Sequence, residues 1–423
     1  MTVLRVTGCH PLRGRVRVPG DKSISHRALL LAARAEGTST VRGLSDGDDV
    51  GRTRAAVAAL GAAFDGDAIR GGVGCLHEPD GVLDVGNSGT GIRLLAGFCS
   101  GFDWFTVLAG DASVARRPMD RVAEPLRAMG ATVDGRQGGT HPPLAVRGGA
   151  LTGIDYTPPV ASAQVKTAVL LAGLGAEGET VVREPVPTRA HTEELFALCG
   201  ADADVTSSPD GGRVVRVRPS SLRPFDLDVP GDPSQAAFWV VAACITPGSD
   251  VVVEHVYLGP GRSGFLDVLR RMGADVEQVG DDAVRARYGP LRGTEVGGPE
   301  VPSLIDEIPV LAVAAAVAEG PTLFGEVTEL RVKESDRIAT VAEGLRAFGA
   351  AVETRAGGFL VEGAKALVAG HAEAEGDHRV AMAMAVAAMA TAGESAVEGW
   401  ESVATSYPGF EADLAGLGGE ARS

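Results

Sequence analysis

An α/β protein of two globular domains, each assembled from three repeated units, is the architecture this sequence predicts. Three observations carry it. The chain has 423 residues, more than one hydrophobic core usually serves, so two domains are expected. A pattern of an apolar helix end, then Gly, then a small residue and a strand-like start recurs at Gly61, Gly130, Gly200, Gly273 and Gly349. A truncated sixth copy stands at Gly418, and the glycine spacings are 69, 70, 73, 76 and 69 residues. Thirdly, Val229-Pro230-Gly231-Asp232-Pro233-Ser234 echoes Val18-Pro19-Gly20-Asp21-Lys22-Ser23 at an offset of 211 residues, half the chain. A glycine just past a helix end, in left-handed conformation, explains each punctuation mark. The period exceeds those of solenoid arrays, so globular pseudo-symmetry is the expected form.

The echo also places the domain changes, near 18–20 and 229–232. One domain is then 19–230 and the other 1–18 plus 231–423, so the first strand belongs with the C-terminal half. Two crossings invite hinge closure, and sites between domains are common.

Apolar content of 45% and charged content of 22% are globular values. A net charge of −16 disfavours nucleic acid and anionic membrane surfaces as partners, while a local basic cleft still admits small anions. Five cysteines, an odd number without CxxC spacing, read as buried free thiols in a reducing compartment. The start of the chain lacks a signal peptide's apolar core. The apolar runs 308–318 and 381–392 fall short of the roughly 20 residues a membrane span needs. A cytoplasmic protein without a membrane segment is expected.

Along the chain, charged or polar residues repeatedly precede apolar helices. Asp21 or Ser23 can cap the run 28–33, and Lys22, Ser23 and Arg27 add two cations and a hydroxyl where free N–H groups welcome an anion. A solvated cap and an anion site are equally open readings. Lysine is confined to Lys22, Lys166, Lys333 and Lys365 in this arginine-rich chain, which suggests that a compact, proton-exchanging charge is needed where lysine persists. Gly86-Asn87-Ser88-Gly89-Thr90-Gly91 opens the helix 92–98 as a plain cap or a phosphate turn. Arg116-Arg117 beside Pro118 read as a solvated loop pair or as carboxylate and phosphate forks. Ser162 caps the helix 168–174, with Gln164 and Lys166 decorating its first turn. Thr192 is a candidate cap for the next helix, which opens at 188–193.

In the second half, Asp306-Glu307 lead into the apolar helix 310–318, where acidic residues either complement the dipole or serve chemistry. The stretch 331–337 holds five charges in seven residues. There Lys333, Glu334 and Arg337 set a carboxylate among cations, which suits either a solvated helix start or a general acid in an anion site. Asp377-His378-Arg379 precedes the helix 380–390. Helix N-termini from both halves, carrying several cations, imply a ligand with more than one anionic group.

These stretches are identified as those of the EPSP synthase family of enolpyruvyl transferases. The matching motifs are PGDKSISHRALL at 19, GNSGTGIRLL at 86, GDASVARRPMDRVAEPL at 110, ASAQVKTAVLLAGL at 161, IDEIPVLAVAAA at 305, LRVKESDRI at 330, DHRVAMAMAVAA at 377 and SYPGF at 406, in family order. The resemblance implies two domains of three βαβαββ-type units each, an inverted α/β barrel, facing a cleft. It implies transfer of the enolpyruvyl group of phosphoenolpyruvate to the 5-hydroxyl of shikimate 3-phosphate, on the way to chorismate and aromatic amino acids. No metal or organic cofactor is implied, and a monomer is expected. By motif position, Lys22, Ser23, Arg27, Ser162, Ala163, Gln164 and Thr188, with Asp306 and Lys333, hold shikimate 3-phosphate. Lys22, Gly89, Arg117, Gln164, Arg337 and Arg379 hold phosphoenolpyruvate. Asp306 takes the attacking hydroxyl's proton, Glu334 protonates the methylene carbon, and Lys22 touches both substrates.

The chain departs from some members at Thr405, where they carry Lys before the aromatic-Pro pair, so no C-terminal cation on phosphoenolpyruvate is carried over. A sister transferase acting on UDP-N-acetylglucosamine usually has Asn after the first Lys and a Cys in its mobile loop; here Ser23 follows Lys22, and 111–118 holds no Cys. A paralogue with a different hydroxylated acceptor is opposed by the intact Ser23, Arg27 and Ser162. A non-catalytic relative is expected to have lost Asp306 or Glu334.

Overall fold

Among the described residues, six four-stranded sheets of one design organise the chain. In each, one parallel strand pair is followed by two antiparallel pairs, as in Asp226–Asp228 parallel to Gly37–Arg42, which pairs antiparallel with Ala68–Gly71 and so onward to Ala63–Asp65. The computed structural model describes residues 2–363 and 366–423; Lys365 lies outside them. The chain divides into two compact units, Gly20–Val229 and the chain up to Pro19 with Pro230–Ser423.

Among the described residues each repeat carries two helices of 7 residues or more. In the unit Gly20–Val229 they are α1 (Lys22–Arg34), α2 (Asp48–Ala59), α3 (Gly89–Ser100), α4 (Asp120–Ala128), α5 (Ala163–Gly173) and α6 (His191–Cys199). In the other they are α7 (Pro233–Ile245), α8 (Gly264–Arg271), α9 (Ile308–Ala316), α10 (Arg337–Ala347), α11 (His378–Met389) and α12 (Phe410–Gly416). The first helix of each repeat is the buried one: every residue of α7, α9 and α11 is buried. A helix apolar all round has no solvent face to offer, so these three pack on one another. Their Ala-rich surfaces permit close approach. In the other unit α3 packs against both α1 and α5. A Cβ at Gly97 would lie 2.2 Å from the Ala168 carbonyl oxygen, so only glycine fits that crossing.

The sheets lie outside these helices with one face wet, as the alternating burial of Val3–Thr7 shows. Helices inside and strands outside make the inverted α/β arrangement. All six punctuating glycines have positive φ, from 72° at Gly200 to 110° at Gly61. The sixth repeat is not truncated in its sheet: the N-terminal strand Val3–Thr7 enters between Glu394–Glu398 and Glu420–Arg422. Strand Arg13–Arg17 likewise runs parallel to Asp250–Glu254.

Two local readings are corrected. Cys99, Cys199 and Cys244 are buried, but Cys9 and Cys75 are exposed; all five are free. Thr192 does not cap α6. It lies inside the helix, and Ala190 takes the cap position; its hydroxyl accepts from Arg27 instead. Lys166 lies in the first turn of α5 and is wholly buried. Among the described residues no helix is long and apolar enough to cross a membrane.

Candidate active site

The predicted residues fall in two sets, one per unit. Lys22, Ser23, Arg27, Gly89, Ser162, Ala163, Gln164, Asp306 and Arg379 lie in or just before the buried helices, while Arg117, Thr188, Lys333 and Glu334 lie in connecting segments and Arg337 starts α10. In the unit Gly20–Val229, Asp21 caps α1 through the Ile24 N–H at 2.8 Å, Ser88 caps α3 through Gly91 at 2.9 Å, and Ser162 caps α5 through Val165 at 3.4 Å. Lys22 pairs with Asp49 of α2 at 3.0 Å. Arg27 is 2% exposed and ties α1 to its neighbours. It donates to the Ser23 carbonyl at 2.8 Å, to Thr192 at 2.9 Å, to Thr167 at 2.7 Å and to the Ala163 carbonyl at 3.3 Å. Most of its donors therefore already serve protein partners.

Arg117 donates to Asn87 Oδ1 at 3.0 Å and Ser113 at 3.1 Å. A Cβ on Gly89 would stand 2.4 Å from its Nη1, so this glycine lets the guanidinium lie against the start of α3. Gln164 is fixed on both sides, accepting from Arg93 at 2.8 Å and donating to the Thr90 hydroxyl at 2.9 Å. Thr188 is buried with its hydroxyl on Glu184. A pocket opens beside Ser162 and Glu184, walled by Pro158–Val160 and Pro185–Val186. Arg189, which the motif reading passed over, donates to Ser23 Oγ at 3.0 Å. It stood beside Thr188 in the sequence, but only the fold carries it across 166 residues to α1.

The second set centres on Arg337, 1% exposed. Its Nε donates to Asp377 at 2.7 Å, its Nη1 to Asp306 at 3.2 Å and its Nη2 to Glu334 at 2.6 Å. Burial works against the charge, but Asp377, Glu334 and Asp306 outweigh it and raise the pKa further. Asp306 also faces Lys333 at 3.7 Å and Arg379 Nε at 3.8 Å. Burial lowers the pKa of Lys333; Asp306 opposes that and Arg337 adds to it. Asp377 was legible only as part of a helix start; it caps α11 through the Arg379 N–H at 2.9 Å while holding Arg337. Arg262, buried against Asp232 at 2.5 Å and Ser234 at 3.1 Å, was not anticipated at all. Glu307 accepts from Ser234 and lies 3.6 Å from Arg262, tying the start of α9 to α7. Thr405 turns its hydroxyl to the Ser402 carbonyl at 2.7 Å. The adjoining Tyr407 is core, accepting from Trp239 and donating to Asp413.

Three carboxylates held beside one guanidinium, with further cations at hand, suit proton transfer on anionic substrates. Among the described residues no three His, Cys, Asp or Glu side chains are grouped to hold a metal. The fold is that of the enolpyruvyl transferases: NikO from Streptomyces tendae superposes with a TM-score of 0.79 at 21% identity, covering 99% of this chain and 98% of that one. The family model of EPSP synthase (3-phosphoshikimate 1-carboxyvinyltransferase) matches residues 6–414. Enzymes of that name are 49% identical in Thermus thermophilus, covering 98% of both chains, and 48% in Alkalilimnicola ehrlichii, covering 97% of this chain and 94% of that one. The EPSP synthase of Acinetobacter baumannii superposes with a TM-score of 0.84 at 39% identity over the full length of both chains. The chain belongs to the EPSP synthase family. It is a transferase of the shikimate pathway, moving the 1-carboxyvinyl group of phosphoenolpyruvate to 3-phosphoshikimate.

Proposed function

We propose that the two sets of residues divide the work of this transfer as follows. Ser23, Arg27, Ser162, Ala163, Gln164 and Thr188, with Lys333, hold shikimate 3-phosphate. Gly89, Arg117, Gln164, Arg337 and Arg379 hold phosphoenolpyruvate, and Lys22 serves both. Asp306 takes the proton of the 5-hydroxyl, and Glu334 delivers one to the methylene carbon. The vinyl carbon becomes electrophilic only as that proton arrives, so a base and an acid are needed at separate atoms. The observation that carries this reading is the single Arg337 guanidinium reaching Asp306 and Glu334 at 3.2 and 2.6 Å. An anionic substrate that takes over Arg337 releases Glu334 from its ion pair, which frees the carboxyl to carry a proton. The surrounding cations then stabilise departing phosphate. We propose further that the chain acts in the cytoplasm as a monomer. A net charge of −16 favours the monomer through mutual repulsion.

Asp306→Ala and Glu334→Ala are the test. Each is expected to lower the rate of phosphate release by about 10²–10⁴-fold, while calorimetry still detects shikimate 3-phosphate binding. Full activity in either variant overturns the role assigned to that residue.

A further inference from the structure

Lys166 has no exposed surface, although it belongs to α5, one turn beyond the cap Ser162. Its ammonium donates to Glu184 at 2.9 Å, to Glu193 at 2.7 Å and to the Arg189 carbonyl at 2.9 Å. The other oxygen of Glu184 accepts from the Thr188 backbone N–H at 3.3 Å and from the Thr188 hydroxyl. Arg213, on the strand Arg213–Val217, donates to the Thr188 carbonyl at 2.9 Å and to Glu193 at 3.3 Å. Two cations therefore meet two carboxylates, and between them they fix both backbone groups of Thr188 and the carbonyl of Arg189. Water satisfies such groups in an ordinary surface loop at far less desolvation cost. Here charged side chains do it, in a chain with only four lysines. The Arg189 guanidinium so placed reaches Ser23 Oγ at 3.0 Å, and α5 thus governs both Ser162 and the Thr188–Arg189 segment.

We propose that Lys166, Glu184 and Arg213 are positioning residues that set the Thr188–Arg189 segment for the phosphorylated acceptor, and so control acceptor affinity without touching it. The proposal rests on the reading of Thr188 as an acceptor-binding residue. A purely structural ion-pair cluster makes a different prediction, a loss of stability that leaves the two substrates equally affected.

Steady-state kinetics of the full chain carrying Lys166→Met, Glu184→Gln or Arg213→Met distinguish the two. The expected result is a rise of about tenfold in KM for shikimate 3-phosphate, with KM for phosphoenolpyruvate and kcat within about twofold. Arg213→Lys keeps a donor for the Thr188 carbonyl and is expected to restore most of the affinity. Unchanged acceptor KM in folded variants, or equal rises for both substrates, overturns the proposal. If Lys166→Met does not fold, the two Arg213 variants, at the less buried end of the network, decide it. Thr188→Val separates the two failures. Acceptor KM unmoved in that variant as well overturns the assignment of Thr188, whereas a rise there and none in the other variants overturns the clamp alone.

Discussion

Gly89 shows how one missing side chain shapes a site. Its φ is not positive, so the backbone makes no demand for glycine there. The demand comes from Arg117, whose Nη1 occupies the space a Cβ would need. Gly89→Ala therefore has to displace the far end of a flexible side chain rather than the helix. The fold should survive and the guanidinium should move. We predict that this variant raises KM for phosphoenolpyruvate by about tenfold with shikimate 3-phosphate binding unchanged, as read by kinetics and calorimetry. Equal loss of both substrates would show that α3 itself had shifted. Arg337 illustrates the opposite case. The sequence showed a cation near Glu334, but not that three carboxylates converge on it, since Asp306 and Asp377 lie 31 and 40 residues away.

At the scale of elements, α1 and α2 are joined by a buried polar contact. His26 has no exposed surface, and its Nδ1 lies 2.7 Å from the Thr53 hydroxyl. Burial lowers its pKa well below 6.5, and the charges of Lys22 and Arg27 lower it further. The unfolded chain therefore binds a proton that the folded chain refuses. The associated stability is present in full above the ordinary imidazole value and is lost as pH falls below it toward the depressed folded value. Below pH 6.5 the stability should fall by up to about 1.4 kcal/mol per pH unit from this group. Urea midpoints from pH 7.5 to pH 5 measure it, and His26→Gln is expected to flatten that slope. An unaltered slope in the variant would assign the acid sensitivity to other groups. The same helix start carries Lys22, Ser23 and Arg27, so loosening of α1 in acid should also weaken acceptor binding.

At the scale of the whole molecule, the two units differ in how they are closed. The unit Gly20–Val229 completes its first sheet with its own last strand, Asp226–Asp228. The other unit draws Val3–Thr7 and Arg13–Arg17 from the start of the chain into two of its sheets. A fragment of residues 20–229 should therefore fold alone, with cooperative thermal unfolding by circular dichroism and residual affinity for shikimate 3-phosphate. Residues 230–423 alone leave one sheet without its strand between Glu394–Glu398 and Glu420–Arg422. They should fold only when the first nineteen residues are supplied. Cooperative unfolding of 230–423 by itself would show that those strands are dispensable.

Features legible in the amino-acid order were local or periodic. The punctuating glycines, the caps Asp21 and Ser162, the buried Ala-rich helices and the sixfold repeat depend on backbone conformation and hydrophobic pattern within a few residues, and a single chain displays these. Which charges meet was settled only in three dimensions. Folding made Lys166 a buried tie, turned Thr192 from a cap into a partner of Arg27, and brought Arg189 to Ser23. It also completed the last repeat with the first strand. Ion pairs and strand partners are fixed by contacts between residues far apart in the chain, and no local pattern encodes which of many arginines and carboxylates will share one buried volume.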